Sequence, residues 1–156
     1  GFMDTSVAKA FISSAQTTFR DMFDMAAEPQ APSAMTPDDD HGWDITGLVG
    51  LAGQGQGVVA IRLTHELLGK LLVGSGVVAS GDAERRELEG GLVGELCNII
   101  AGHATSALST VNLEIAPPVI VRGPNHKIGW PAIAPVIRLP FVLPSGRFEL
   151  DLCIRL

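Results

Sequence analysis

The 156-residue chain is 46% apolar and carries eleven lysines and arginines against seventeen acidic residues, for a formal net charge of −6. This size and apolar content predict one domain with a single hydrophobic core, spanning residues 1–156. Nucleic acid is excluded as an expected partner, because the sequence has no basic tract, no tyrosine and only two tryptophans that could stack on bases. A membrane span is not expected either, since no run of about eighteen apolar residues occurs.

The cysteines and histidines predict neither a disulfide scaffold nor a metal centre. Cys97 and Cys153 lie far apart in the sequence, which fits reduced thiols in the cytoplasm. The four histidines do not have the spacing of metal ligands, and we expect His103 near the edge of the core and His126 in a turn. The N-terminus lacks the basic flank and apolar block of a signal peptide, so a cytoplasmic protein is expected.

The first predicted elements are a helix and a long loop. Apolar residues three and four positions apart between Thr5 and Met25 predict an amphipathic helix packed on the core. Residues 26–42 follow, with three prolines and three consecutive aspartates. That composition predicts an exposed loop with no packed structure of its own.

A β-hairpin is predicted next, with its turn at residues 53–56. The glycines of this turn resemble the start of a dinucleotide-binding fingerprint, but that fingerprint requires a following helix, so no such cofactor is expected. Thr64 is the predicted N-cap of a short helix that ends near Ser75. The second strand of the hairpin alternates between core-facing and outward-facing residues, the former being Val59, Ile61 and Leu63 and the latter Ala60 and Arg62.

A long helix and an interrupted strand are predicted after the short helix. The long helix runs from about Ala83 to Ser109, with Ser80 or Asp82 as its N-cap. The strand that follows is interrupted at Pro117 and Pro118, and a turn-rich loop comes after it.

The last two predicted strands are residues 132–143 and 147–156. The second of them alternates strictly between apolar and polar residues, which predicts one buried face and one polar face. Strands joined by hairpins, with helices before and between them, indicate an α+β fold. We expect a largely antiparallel sheet of about six strands with two long helices packed on one face.

The segment GGLVGELCNIIAG, residues 90–102, places four glycines in or beside the long helix. Each glycine in a helix interior costs roughly 1 kcal/mol relative to alanine. With Glu95 at zero on a helical wheel, Asn98 lies at about 300°, Gly91 at about 320° and Gly102 at about 340°. The side opposite the apolar residues therefore carries one acid and one amide, bracketed by two glycines.

Two interpretations of this polar side stay open. The acid and the amide could be ordinary solvated residues, but a solvated face gains nothing from glycine. Glycine is favoured where another backbone comes close, either a strand of the same fold or a partner protein. We expect Gly91 and Gly102 to border a partner-binding surface, and Gly90 and Gly94 to serve packing within the chain.

This sequence resembles the CheX branch of the CheC/CheX/FliY phosphatases of bacterial chemotaxis. The resemblance lies in the segment GELCNIIAGHATSALS and in LEIAPPVIVRG, which follows it. DITGLVGLAGQGQGVVAIRL and PVIRLPFVLPSGRFELDLCIRL are similar to the family's first hairpin and closing strand pair, so the resemblance covers most of residues 44–156. It implies that Glu95 and Asn98 project from an exposed helix towards a phosphorylated CheY-like receiver domain. In that family the asparagine orients water for in-line attack on the phosphoaspartate, and the glutamate engages a receiver lysine.

The resemblance also implies what each partner contributes. An amide both donates and accepts hydrogen bonds, which suits holding a water, whereas an ionised carboxylate only accepts, which suits a lysine. Because the receiver supplies Mg²⁺, no cofactor or metal ligand is expected in this chain. A homodimer joined through sheet edges is implied as well.

Two features depart from the family's pattern. The family signature commonly has aspartate or serine at the position of Gly91, and neither Glu87 nor Glu89 stands at that position. The connection from the helix to the Pro117–Pro118 strand is also shorter than usual. The leading hypothesis is a receiver phosphatase, and the alternative is a non-catalytic CheX-like module that binds a receiver or signalling partner. A structural protein that uses the fold only to oligomerise would leave the acid and the amide without a purpose.

Overall fold

The computed structural model of the protein describes residues 5–36 and 42–156. Within these residues the chain forms three helices and eight strands. The helices are α1 (Thr5–Phe23), α2 (His65–Gly74) and α3 (Asp82–Ala107). The strands are β1 (Glu28–Pro29), β2 (Ser33–Ala34), β3 (Ile45–Gly53), β4 (Gln56–Leu63), β5 (Leu113–Ile115), β6 (Val119–Arg122), β7 (Ile137–Leu143) and β8 (Gly146–Arg155).

All eight strands belong to one antiparallel sheet with the order β1-β7-β8-β4-β3-β5, in which β2 also pairs with β7 and β6 also pairs with β3. Strands β5 and β6 share the same edge of β3, where Leu51 pairs with Ile115 and Ile45 with Arg122. Between them lie Pro117 and Pro118, which have no N–H to donate to a sheet. The predicted interruption of this strand is therefore confirmed.

The core lies between one face of the sheet and the helices. Gly47 of β3 lies directly under α3, since a Cβ there would be 2.8 Å from the side chains of Val93 and Cys97. On the other half of the sheet, Phe148 stacks between the rings of Phe19 and Phe141, with centroid distances of 4.2 and 4.7 Å. These contacts place α1 and α3 on the same face, which confirms the α+β class with two long helices on one face.

The sheet has more strands than the sequence predicted, because part of the 26–42 segment joins it. Strands β1 and β2, of two residues each, pair with β7. The backbone N–H groups of Gln30 and Met35 also donate to Pro140 and Val136, at 2.9 and 2.8 Å. The prediction of an unpacked loop is wrong for this part, although its residues are mostly exposed. Asp38–Asp40 lie outside the described residues.

The second face of the sheet is also covered, which corrects the prediction for the last strand. Glu149 and Asp151 of β8, on the predicted polar face, are 2% and 0% exposed. Residues 123–136 cross this face: His126 Nε2 lies 2.6 Å from Thr46 Oγ1, and the Cys153 thiol donates to the carbonyl of Ala134 at 3.4 Å. Alternation in β8 predicted which residues share a face, but not that this segment covers the polar one.

Ionisable side chains buried on that face are paired across strands. Arg62 donates through Nη1 to Asp151 Oδ2 at 3.1 Å and through Nε to Thr46 Oγ1 at 2.7 Å. Arg138 Nη2 donates to Glu149 Oε1 at 2.8 Å. The pKa of Asp151 is raised to about 9, first by burial and then by the hydrogen bond with Glu149 and by its charge, against the lowering effect of Arg62. Asp151 therefore keeps its proton at neutral pH.

The helix boundaries differ from the predicted ones in small ways. Helix α1 ends at Phe23, and Asp24 follows with φ 53° in the left-handed region. Thr64 is confirmed as the N-cap of α2, because its hydroxyl accepts from the Leu67 N–H at 3.2 Å. The N-cap of α3 is Gly81, with no side-chain cap, so both predicted caps are wrong. Ser80 instead donates to the Glu84 carboxylate through its hydroxyl.

The ends of the last two strands differ as well. Strand β7 begins at Ile137 rather than at Ala132, because the preceding residues belong to the segment that covers the sheet. Strand β8 begins at Gly146 and ends at Arg155, one residue from the predicted limit at each end.

Candidate functional site

Helix α3 buries one side against the sheet and exposes the other. The residues predicted to face the sheet include Leu96 and Ile100, which are 0% and 1% exposed. Glu95 and Asn98 are both exposed on the opposite side, as the helical wheel predicted. Being three residues apart, their Cβ atoms lie about 5–6 Å from each other. In the part of the chain that the structure describes, neither side chain forms a hydrogen bond or an ion pair.

The four glycines of this region fall into two pairs. A Cβ added at Gly91 or at Gly102 would meet nothing within 4 Å. At Gly94 a Cβ would lie 3.4 Å from the ring of Pro118, and at Gly90 it would lie 3.1 Å from Arg122 Nη2. Packing within the chain therefore accounts for Gly90 and Gly94 but not for the other two.

We call Gly91, Glu95, Asn98 and Gly102 the helix strip. It extends over twelve residues of α3, from Gly91 to Gly102, or about 16 Å along the helix axis. One flank is formed by Pro118 beside Gly94, and α1 packs along the other flank of the helix. The helix strip is thus an open, convex surface with two projecting polar side chains.

Clefts elsewhere on the molecule do not include these two side chains. A cleft of about 390 Å³ at the C-terminal end of α3 is lined mainly by polar residues of 105–113. An apolar cleft of about 410 Å³ lies between α2 and the start of α3, beside Val73 and Val78. Small-molecule substrates are usually held in concave pockets, so a convex site suits a macromolecular partner.

The chemistry available at the helix strip is limited to hydrogen bonding and charge. Asn98 can donate and accept at once, and Glu95 can accept when ionised. Among the described residues, no group of three or more histidine, cysteine or acidic side chains is placed to hold a metal ion. The helix strip can therefore orient a water or a cationic group.

Glu89 is a charged residue whose position the sequence reasoning missed. It is 1% exposed and lies among two arginines and a histidine, with its carboxylate oxygens 3.6 Å from Arg122 Nη1, 3.8 Å from Arg85 Nε and 3.9 Å from His65 Nε2. The sequence did indicate this burial, because Glu89 falls at about 120° from Glu95 on the helical wheel, on the apolar side of the helix. Being buried, it cannot replace the polar residue that the resemblance implies at position 91.

Glu87 does not replace that residue either, although it is exposed. It lies eight residues before Glu95, which is about 12 Å along the helix. The helix strip therefore keeps an open space at Gly91.

His126 and His103 lie in different surroundings. His126 lies in a turn, where its N–H donates to the Gly123 carbonyl at 3.3 Å, as predicted. His103, expected near the edge of the core, is fully on the exposed side of that edge. It stands at about 80° from Glu95 on the wheel, at the margin of the apolar side, where burial depends on neighbouring elements.

No helix among the described residues is long and apolar enough to cross a membrane. This finding agrees with the absence of a long apolar run from the sequence.

Comparison with protein families gives one match, which covers the middle of the chain. A family model described as "Chemotaxis phosphatase CheX" matches residues 45–142. That range contains the whole hairpin of β3 and β4, helix α3 and the helix strip. No curated protein matches the chain.

Solved structures from three bacteria are similar over nearly the whole chain. Chemotaxis protein CheX from Vibrio vulnificus is 25% identical, with a TM-score of 0.84, over 96% of this chain and 99% of that one. A CheC-like superfamily protein from Shewanella sp. PV-4 is 26% identical, with a TM-score of 0.85, over 98% and 99% of the two chains. The CheX–CheY–BeF3–Mg²⁺ complex from Borrelia burgdorferi matches with 25% identity and a TM-score of 0.80, over 96% and 98%.

The family model covers well over half of the sequence, and the similar structures agree with it in fold. The resemblance drawn from the motif around Glu95 is therefore confirmed, and the chain belongs to the CheX family of chemotaxis phosphatases.

Proposed function

We propose that the protein is a phosphatase that hydrolyses the phosphoaspartate of a CheY-like receiver domain in chemotaxis signalling. The observation that carries the proposal is the exposure of Glu95 and Asn98, side by side and without partners in the described chain, on an open surface of α3. Family membership supports it, as does the Borrelia structure in which a similar CheX is bound to CheY.

In the proposed reaction Asn98 orients the attacking water. Its amide oxygen accepts a hydrogen bond from the water while its N–H group donates to the phosphoryl region, so the water lies in line with the phosphorus. Phosphoryl transfer depends mainly on positioning and charge stabilisation, so an amide that removes no proton is sufficient.

Glu95 has a docking role in the proposal. An ionised carboxylate accepts hydrogen bonds only, and it attracts the receiver lysine that lies beside the phosphorylation site. This contact sets the register in which the helix meets the receiver. The proposal assigns Mg²⁺ to the receiver, where it neutralises charge on the phosphoryl oxygens.

Gly91 and Gly102 complete the proposed surface. Since a Cβ at either position would point into open space, the fold itself does not require glycine there. The two glycines leave the helix backbone bare at both ends of the helix strip. We propose that the rim of the receiver's phosphorylation site approaches the helix at these two positions.

A second candidate function rests on Gly91. The family commonly has aspartate or serine there, and neither Glu87 nor the buried Glu89 supplies a polar group in its place. The protein would then bind a phosphorylated receiver through the same helix without accelerating hydrolysis.

Phosphate release from a phosphorylated CheY with Mg²⁺ distinguishes the two functions. We expect the wild type to accelerate release and Asn98→Ala to abolish the acceleration. As a control, substitution of the exposed Glu114, which lies on β5 away from the helix strip, should leave the acceleration unchanged. Equal rates with and without the wild type would refute the phosphatase for that receiver. If the wild type binds the phosphorylated receiver without accelerating hydrolysis, and Gly91→Asp gains that acceleration, the protein is a binding module.

We also propose that the protein is a cytoplasmic homodimer. The sheet has two edges at which a second copy could pair, the β5–β6 edge of β3 and the β1–β2 edge of β7. Exposed strand edges are common dimer contacts. Light scattering should give twice the mass of one chain, and a monomer at assay concentrations would refute the dimer.

A further inference from the structure

Arg122, the last residue of β6, lies across helix α3 just before the helix strip. Its Nη2 donates to the main-chain carbonyl of Arg86, and its Nη1 lies 3.6 Å from Glu89 Oε1. The guanidinium passes directly over Gly90, where a Cβ would lie 3.1 Å from Nη2. The absence of a side chain at Gly90 thus lets the arginine reach the helix backbone.

Glu89 provides a buried carboxylate as the ionic partner of Arg122. Its carboxylate is 1% exposed, and a buried carboxylate is costly unless it is paired. Arg85 Nε and His65 Nε2 lie 3.8 and 3.9 Å from the other oxygen, so each carboxylate oxygen has an arginine beside it. Because the Glu89 side chain points into the fold, its contacts favour one rotation of α3 about the helix axis.

The position of Arg122 is itself fixed by the turn that follows it. The Gly123 N–H donates to the Asp44 carbonyl at 3.1 Å. His126 lies 2.7 Å from the Gly123 carbonyl through Nδ1 and 2.6 Å from Thr46 Oγ1 through Nε2. The arginine therefore projects from an anchored strand end rather than from a free loop.

A second contact lies one turn further along the same flank of α3. Pro118 packs against Gly94, 3.4 Å from where a Cβ would stand. Two contacts on one flank, four residues apart, restrain rotation of the helix. A rotation of about 10° would move side-chain tips, about 5–6 Å from the axis, by about 1 Å. Misplacement of a catalytic group by that distance can cost about 100-fold in rate.

We propose that Arg122, with Glu89, is a positioning pair that sets the direction in which Glu95 and Asn98 project. The proposal rests on the phosphatase function proposed above. Arg122 touches neither the receiver nor the reacting atoms, and it acts through the orientation of α3.

The test compares Arg122→Gln with Arg147→Gln. Arg147 is the control because it is also an arginine with a defined contact, 4.3 Å over the ring of Trp43, at the start of β8 rather than beside α3. With the receiver kept phosphorylated by a small phosphodonor, we expect Arg122→Gln to lower kcat about tenfold and to change KM less than about twofold. Arg147→Gln should change neither constant.

Two conservative variants separate positioning from loss of structure. Arg122→Lys keeps the attraction to Glu89 but cannot hold the carboxylate and the Arg86 carbonyl together, so an intermediate kcat is expected. Glu89→Gln should also lower kcat, and the double variant Arg122→Gln/Glu89→Gln should lose no more than the larger single loss. Additive losses would contradict a joint role.

A readout without catalysis keeps the inference separate from the phosphatase proposal. In the free protein, the amide NMR signals of residues 91–102 should shift in Arg122→Gln and stay in place in Arg147→Gln. Unchanged signals and an unchanged kcat would overturn the positioning pair. Shifted signals in a protein whose wild type releases no phosphate would refute the phosphatase and leave the positioning role standing. If Arg122→Gln does not fold, the same criteria apply to Arg122→Lys.

Discussion

Asp151 Oδ2 lies 3.1 Å from Arg62 Nη1, with both side chains fully excluded from solvent. Despite this contact the pKa of Asp151 is raised to about 9, because burial and the neighbouring Glu149 outweigh the arginine. The folded protein therefore binds a proton that an unfolded chain, with an aspartate pKa of about 4, releases at neutral pH.

The free energy of unfolding is expected to fall as pH rises from about 4 to about 9. In that window the native state binds more protons than the unfolded state, so the slope of unfolding free energy against pH is negative. Asp151→Asn should flatten the slope, since an amide can still accept from Arg62 and donate to Glu149 without a proton to lose.

Urea unfolding at pH 5, 7 and 9 measures this slope. The exposed Asp21 offers a control, and Asp21→Asn should leave the slope as it is in the wild type. Parallel curves for the wild type and Asp151→Asn would contradict the protonated state of Asp151.

Phe148→Ala is expected to destabilise the fold by about 3–5 kcal/mol, because it removes the middle ring of the stack with Phe19 and Phe141. The ring joins α1 to the sheet and lies away from the helix strip. Denaturant unfolding measures the loss, and the phosphate release of the remaining folded protein should be unchanged. A loss below about 1 kcal/mol would mean that the core refills the space.

Gly91→Ala and Gly102→Ala are each expected to stabilise the protein by up to about 1 kcal/mol, because both positions are helical and open. Gly47→Ala should destabilise it by about 1–3 kcal/mol, since its Cβ would lie 2.8 Å from Val93 and Cys97. Thermal unfolding of the three variants measures both the expected stabilisation and the expected destabilisation.

The same glycine variants also test the proposed docking surface. If a receiver approaches the bare helix, Gly91→Ala and Gly102→Ala should weaken its binding while they stabilise the free protein. Titration of the phosphorylated receiver measures this effect. Stabilised variants that bind as tightly as the wild type would remove the two glycines from the partner surface.

Neither cysteine of the folded protein is expected to react with a thiol reagent at pH 8. Burial raises the pKa of the Cys97 thiol to about 12 and also raises that of Cys153. Because the thiolate is the reactive form, labelling should require unfolding. Ellman's reagent should therefore detect about two thiols in denaturant and about none without it, and rapid labelling of the native protein would refute this expectation.

Much of the fold could be predicted because periodicity reports which residues share a side. The strict alternation of β8 and the three-and-four spacing of α3 placed Leu150 and Leu96 in the core, and both are buried. The same reasoning placed Glu95 and Asn98 together on the exposed side of the helix. These inferences need only the geometry of a single element.

What could not be predicted depends on contacts between distant segments. Alternation gave no sign that residues 123–136 would cover Asp151, and propensity gave no sign that the backbone of Gln30 would bond to β7. Long-range pairing decides both cases, and no local pattern encodes it. The cap of α3 was missed for a local reason instead, since Ser80 bonds to Glu84, four residues further on, and leaves Gly81 at the N-cap.

The openness of the helix strip has a consequence for how such proteins diverge. Side chains added at Gly91 or Gly102 touch nothing in the chain, so changes there leave the core intact. Most substitutions that alter a binding site in a concave pocket also disturb packing, and stability then limits which of them survive. A duplicated copy of this protein could therefore acquire a different binding partner through a few surface substitutions that leave the packing of the core unchanged.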